Sequence, residues 1–263
     1  MHMNITRLFQ TLFCFTLVLA IAAGCHSVQP AKLSVNVRDL GAKGDGTTKD
    51  TAAFQAALDS CVTHGGGIVT VPAGNYLIGS IVIGPNTTLQ LQTGAKLAGS
   101  PDIADYPLIN VRWEGEFRQG HRALISSEKA DNVTIAGPGA ISGPPASLSQ
   151  LRDPRGPVLI ELANGTNVTL NGFSTQYQRL WSIHLLFCEK VTARDLVIRT
   201  AAFSNGDGID VDSCSGVTIE RCDINTGDDA ISLKSGRGLA AMHLGRPTQN
   251  VLIKDCKLVS SLF

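Results

Sequence analysis

Aromatic residues make up only 5% of the 263-residue chain, with two tryptophans and three tyrosines, while glycine reaches 27. Little aromatic bulk and much glycine suit short strands joined by tight turns better than a helical bundle. Net charge is also missing. Twenty-two basic residues balance 22 acidic ones, so no long-range positive field exists to recruit nucleic acid, and no nucleic-acid partner is expected. No Cys-x-x-Cys pair occurs among the seven cysteines. Cys14 and Cys25 lie near the N-terminus, and the odd remainder (Cys61, Cys188, Cys214, Cys222 and Cys256) supports neither a disulfide scaffold nor a zinc site. No metal or cofactor is expected. With 43% hydrophobic residues, the chain can bury one large core and carries no signature of disorder.

Residues 1–25 read as a signal peptide: Arg7, an apolar run from Leu8 to Ala23 broken by Gln10 and Thr11, then small residues before Cys25. Ala22-Ala23-Gly24-Cys25 resembles a bacterial lipoprotein signal, which implies lipid on Cys25 and a periplasmic or outer-membrane location. Ala20-Ile21-Ala22 equally suits an ordinary signal peptidase, which implies free secretion. The lipoprotein reading is preferred. Residues 26–34 form a polar linker, and residues 35–263 form one domain.

Within that domain, Val35-Asn36-Val37 reads as a short strand, and Asp50 is placed to cap a helix with Ala53, Ala56, Ala57 and Cys61 on one face. His64-Gly65-Gly66-Gly67 ends it. This glycine run is no phosphate loop, because it follows the helix and lacks a lysine-serine/threonine pair. From Ile68 onward the pattern is strand after strand, with no further helix. Asn132-Val-Thr-Ile135, Asn167-Val-Thr-Leu170, Lys190-Val-Thr-Ala193, Gly216-Val-Thr-Ile219 and Asn250-Val-Leu-Ile253 recur at solenoid intervals of about 23 to 35 residues. Aligned on their valines, they place Cys188 above Cys214, and Phe173, Leu196, Cys222 and Cys256 in one column. Such columns predict an all-β, parallel β-helix whose cysteines are buried filler and whose N-terminal helix caps the first coil.

Two acidic motifs fall on consecutive coils: Asn205-Gly206-Asp207-Gly208-Ile209-Asp210 and Thr226-Gly227-Asp228-Asp229-Ala230-Ile231. Asp207 and Asp228 are 21 residues apart, close to one turn of the solenoid, so they should be neighbours. Mutual repulsion can then keep one acid protonated beside ionised partners. That pairing serves glycosidic hydrolysis, where one carboxylic acid protonates the leaving oxygen and another carboxylate activates water. Aspartates beside glycine are also ordinary turn formers, which accounts for Asp45 and Asp131 and extends to Asp210 and Asp212.

These motifs, continued by Lys234-Ser235-Gly236, resemble the polygalacturonase family, glycoside hydrolase family 28, in the pectin lyase-like superfamily. Asp39-Leu-Gly-Ala-Lys-Gly-Asp-Gly46 is similar to its opening segment, and Trp181-Ser-Ile-His184 to its tryptophan-bearing strand. The resemblance implies a right-handed β-helix and an inverting hydrolase acting on pectic polysaccharide. It makes Asp228 the general acid, with Asp207 and Asp229 holding and deprotonating the attacking water. Inversion implies carboxyl groups roughly 6.5 to 9.5 Å apart. Lys234, Asn205 and His184 are the candidate substrate-binding residues; Lys234 could equally be a salt-bridge partner of the carboxylates. Arg179, Arg237 and Arg246 lie near the motifs and could also meet uronate carboxylates.

The sequence departs from the family pattern in three ways. Glycine stands at 206 where the family has threonine. The family's Gly-His-Gly and Arg-x-Lys motifs are expected on coils beyond Cys256 and are not found before Phe263, and His243 is no substitute. The C-terminal coils are therefore expected to be missing, with weak or no activity from this chain alone. A Ca²⁺-dependent β-helix lyase and a non-catalytic carbohydrate-binding β-helix are the alternatives. A monomer is expected.

Overall fold

The computed structural model describes residues 32–149, 151–178, 180–200 and 203–261. The leader, its Cys25 and the candidate Arg179 lie outside these residues.

Alternating burial within short strands is what the apolar-polar period dictates. In Ser215–Glu220, Val217 and Ile219 point inward while the residues between them remain partly exposed. Three parallel sheets result, with eight, eight and six strands, and each strand pairs with the equivalent strand one coil away. The first sheet runs from Leu33–Asn36 to Gln249–Lys254, the second from Asp45–Lys49 to Lys257–Ser260, and the third from Ile81–Val82 to Ile231–Lys234. The fold is a right-handed parallel β-helix.

Its core is a set of columns. Val168, Val191, Val217 and Val251 are in register through successive coils of the first sheet, and Leu162, Leu185 and Val211 through the third. Cys188 stands beside Cys214, whose Sγ accepts the Cys188 N–H at 3.2 Å, and the described cysteines are free thiols. Phe173, Leu196 and Cys222 are buried, and burial pushes the Cys222 thiol up to about 11, as expected of filler. The repeat also has an outer reason. Asn86, Asn132 and Asn167 sit at φ of 58°, 54° and 62°, a left-handed conformation that asparagine tolerates. Their side chains form a ladder, Asn132 Nδ2 to Asn86 Oδ1 at 2.7 Å and Asn167 Nδ2 to Asn132 Oδ1 at 3.1 Å.

Several expectations need correction. The first strand is Leu33–Asn36, so the structured domain begins within the expected linker, and Val37 opens a 3-10 turn over Val37–Leu40. The helix Thr51–Thr63 packs on the first coils with Phe54, Ala57, Leu58 and Cys61 buried. Ala56 is exposed, because the longer side chains of Phe54 and Leu58 pull the face around. Asp50 is the N-cap residue, its carbonyl accepting the Phe54 N–H at 3.1 Å, but its side chain does not cap: the carboxylate accepts the N–H groups of Lys43 and Gly44 at 2.6 and 3.0 Å. Two more helices follow, Ala146–Ser149 and Gly238–Leu244. An antiparallel hairpin, Leu108–Trp113 with Glu116–His121, projects from the solenoid.

Leu185 is fully buried in the third sheet, directly beneath the acidic motifs. Leu185→Ala should cost about 2 to 5 kcal/mol of stability, measured as a lowered midpoint of urea unfolding.

Candidate active site

Both acidic motifs occupy turns that carry the chain from the second sheet to the third. The first lies between Val197–Arg199 and Ile209–Asp212, and the second between Asp223–Thr226 and Ile231–Lys234. Coil-to-coil hydrogen bonds stack the turns. Gly208 N donates to Asp229 O at 2.9 Å and Ile209 N to Ala230 O at 3.1 Å, while Ser182 N on the preceding coil donates to Asp207 O at 2.9 Å. Close stacking depends on two glycines, since a Cβ on Gly208 would collide with the Ala230 carbonyl and one on Gly227 with the Phe203 backbone. Gly206 has a similar basis: a Cβ there would lie 2.8 Å from the Phe203 carbonyl oxygen.

The turns bring Asp207, Asp228 and Asp229 together, with one carboxylate oxygen of each within 4.8 Å of the others. This is shorter than the separation expected for inversion, because Asp228 and Asp229 are adjacent in one turn and Asp207 sits one strand spacing away. Asp207 is only 4% exposed. Its burial raises its carboxyl to about 6, opposed by Lys234 and assisted by repulsion from Asp228. Asp228 is half-buried, and its two oxygens accept backbone N–H groups, Oδ2 from Asn205 and Oδ1 from Asp229, both at 3.0 Å. Asp229 is exposed. Exposed Asn205 stands at the rim with φ of 61°.

Lys234 supplies the compensating positive charge. Its Nζ lies 3.6 Å from Asp207 Oδ2, bonds to Asp210 Oδ1, and rests 3.5 Å from the centre of the Trp181 ring. Asp210 and Asp212 are no turn formers: both lie in the strand Ile209–Asp212 and are buried. Burial, then repulsion from Asp207, holds Asp210 well above the usual carboxylate range. Asp212 Oδ2 accepts from Arg112 Nε at 2.9 Å, tying the projecting hairpin to the floor of the site. Asp45 behaves as a turn residue. It accepts the N–H groups of Thr47 and Thr48 in its own turn, whereas Asp131 accepts that of Thr166 on the next coil and so bonds between coils.

His184 is corrected as a substrate-binding residue. It is fully buried under Trp181, with Nδ1 2.9 Å from Glu161 Oε2 and Nε2 4.0 Å from Asp212 Oδ2. It braces the floor of the site and has no path to a ligand at the surface. Arg246 bonds to the Phe187 carbonyl at 3.3 Å, and Arg237 pairs with Glu114 of the hairpin at 3.2 Å. An open cleft of about 360 Å³ runs beside Lys234, between Glu114 and Leu233 through Arg237. No spacing in the sequence announces Arg112 or Arg155, which reach this region from coils far upstream. Asp210 was signalled only by its place in the first acidic motif.

The sequence profile of glycosyl hydrolases family 28 matches residues 61–259. The chain belongs to this family. It is 30% identical over 243 residues to a Vitis vinifera protein named "Probable polygalacturonase", covering 86% of this chain and 49% of that protein. It is 27% identical to the exo-poly-alpha-D-galacturonosidase of Dickeya chrysanthemi, covering 82% of this chain and 44% of that one. The exopolygalacturonase of Thermotoga maritima superposes with a TM-score of 0.78 at 26% identity, over 85% of this chain and 59% of its own. This family 28 chain spans about half the length of the curated relatives it matches.

The buried Asp207 makes stability depend on pH in a defined direction. Its folded carboxyl titrates near 6 against an ordinary value of 3.8, so between these values the folded state binds more protons than the unfolded state, and stability falls as pH rises through the window. Asp207→Asn should therefore resist urea better than the native chain at pH 8, with the difference vanishing by pH 4.

Proposed function

We propose that this family 28 chain belongs to an inverting glycoside hydrolase that cleaves a pectic polysaccharide of the polygalacturonate or rhamnogalacturonan type. The observation carrying the proposal is the meeting of Asp207, Asp228 and Asp229 within 4.8 Å on stacked turns. In support, the relatives that match over most of this chain are named as polygalacturonases and exo-acting galacturonosidases. Asp228 is assigned as general acid, since it is more exposed than Asp207 and can reach a leaving oxygen. Asp207 and Asp229 hold the attacking water and take its proton. Asn205 at the rim and Lys234 beside the carboxylates contact the substrate. Export follows from the leader, with Cys25 as the lipid-bearing residue; radiolabelled palmitate retained by native protein and lost in Cys25→Ala would distinguish a lipoprotein from a freely secreted protein.

A second assignment is favoured by the raised Asp207 carboxyl and by the two N–H groups aimed at Asp228. It exchanges the acid and base roles of these two residues. Both assignments predict that Asp228→Asn lowers kcat on polygalacturonate by at least about 100-fold. They separate on an aryl galacturonide whose leaving group needs no protonation. Recovery of activity in Asp228→Asn supports Asp228 as the acid, and recovery in Asp207→Asn supports the exchange. The anomer first formed, read by proton NMR, tests inversion directly. Retention would agree with the short carboxylate spacing and overturn the inverting mechanism. Ultraviolet-absorbing unsaturated products would indicate a lyase, and saturable glycan binding without new reducing ends a binding protein.

A further inference from the structure

Trp181 lies on the turn stacked directly beneath Asp207, through the Ser182 N–H to Asp207 O bond. Trp181 is 4% exposed, and the Lys234 ammonium sits 3.5 Å from its ring centre. The same ammonium reaches Asp207 Oδ2 at 3.6 Å and bonds to Asp210 Oδ1. Three different coils therefore converge on one cation. A lysine is a flexible point charge with three donors. Set at the edge of a half-open cleft, it would sample solvent unless a surface held it, and an aromatic face provides that surface. Asp207 Oδ1 and Asp210 Oδ2 have no hydrogen-bond partner among the described residues, and the two carboxyls influence each other, Asp207 raising Asp210 and Asp210 lowering Asp207.

Resting on the hydrolase reading of this site, we propose that Trp181 is a positioning residue: its indole face fixes the Lys234 ammonium between Asp207 and Asp210, and so orients Asp207 toward the attacking water. The arrangement makes Asp210 part of the same device. A fully buried carboxyl whose charged form is costly keeps its proton, and donating that proton to Asp207 leaves Asp207 the ionised member of the pair. Lys234 then offsets the charge on Asp207. Other charges face this group. Asp228 and Asp229 lie above it and raise the Asp207 carboxyl. Arg155, 4.9 Å from the Trp181 ring centre, feels both Asp207 and Asp210 from below. Glu114 is engaged by Arg237 at the cleft edge.

The sign of the effect follows from Lys234, which lowers the Asp207 carboxyl. Without the indole face the ammonium leaves, Asp207 takes up its proton more readily, and the acid limb of the pH profile for kcat on polygalacturonate moves upward. Trp181→Leu should shift that limb by roughly one pH unit, while Trp181→Phe keeps an aromatic face and should stay close to the native profile. A residue that only packs would lower activity at every pH and leave the limb in place, and that outcome would overturn the proposal.

A second readout needs no turnover. In Trp113→Phe, Trp181 is the one remaining tryptophan, and its emission should titrate with a midpoint near the Asp207 value of about 6. The titration should disappear when Asp207→Asn or Lys234→Met is added. A flat emission profile between pH 4 and pH 8 in the Trp113→Phe protein would also overturn the positioning role. If emission titrates as described while no glycan is hydrolysed even by a chain extended to the length of its relatives, the contact stands and the hydrolase reading falls.

Discussion

Backbone hydrogen bonds running from coil to coil place every group that matters in this molecule. Each strand finds its partners one coil before and one coil after it, so the turn joining the second and third sheets returns to the same corner of the solenoid on every circuit. The bonds from Gly208 to Asp229 and from Ser182 to Asp207 are the local form of that rule. They put Trp181, Asp207 and Asp229 on three successive levels of one wall. Without that register the carboxylates would be separate surface turns, each solvated and with no influence on the others.

Bringing three carboxylates within 4.8 Å has an electrostatic cost, and the surroundings meet it unequally. Asp207 is sunk into the wall and has Lys234 as its near cation. Asp228 is held by two backbone N–H groups, and Asp229 faces water. Similar acids in different dielectric and hydrogen-bonding environments are what acid-base chemistry requires, since one must hold a proton when another has lost it. The short spacing also lets the charges of Asp228 and Asp229 raise the proton affinity of Asp207.

The hairpin formed by Leu108–Trp113 and Glu116–His121 is the main interruption of the solenoid, and it is anchored electrostatically. Arg112 reaches Asp212, both nearly inaccessible to solvent, while Glu114 at the tip meets Arg237 in the loop after Lys234. His184 and Glu161 complete the buried polar layer under Trp181. A buried ion pair of this kind is a stronger constraint on geometry than a source of stability, and here it fixes one border of the cleft beside the acids.

The repeat of Asn-Val-Thr segments, the cysteine and valine columns, and the 21-residue step from Asp207 to Asp228 are legible in the sequence, because a solenoid maps sequence period onto spatial neighbourhood. The two acidic motifs and their family resemblance are equally legible, being contiguous runs. What the chain alone did not disclose depends on contacts between residues far apart in sequence. The hairpin and its Arg112 to Asp212 pair span 100 positions, and no local spacing encodes them. Asp210 looks like a turn aspartate shortly after Gly208, and only the sheet shows it fully buried against Lys234. His184 looks available in a motif near the site, yet its strand faces it inward. Sequence determined which coil each acid occupies; tertiary packing decided how deeply each is buried and which cation or N–H it meets, because burial and partners are set by neighbouring coils and not by the residue's own segment.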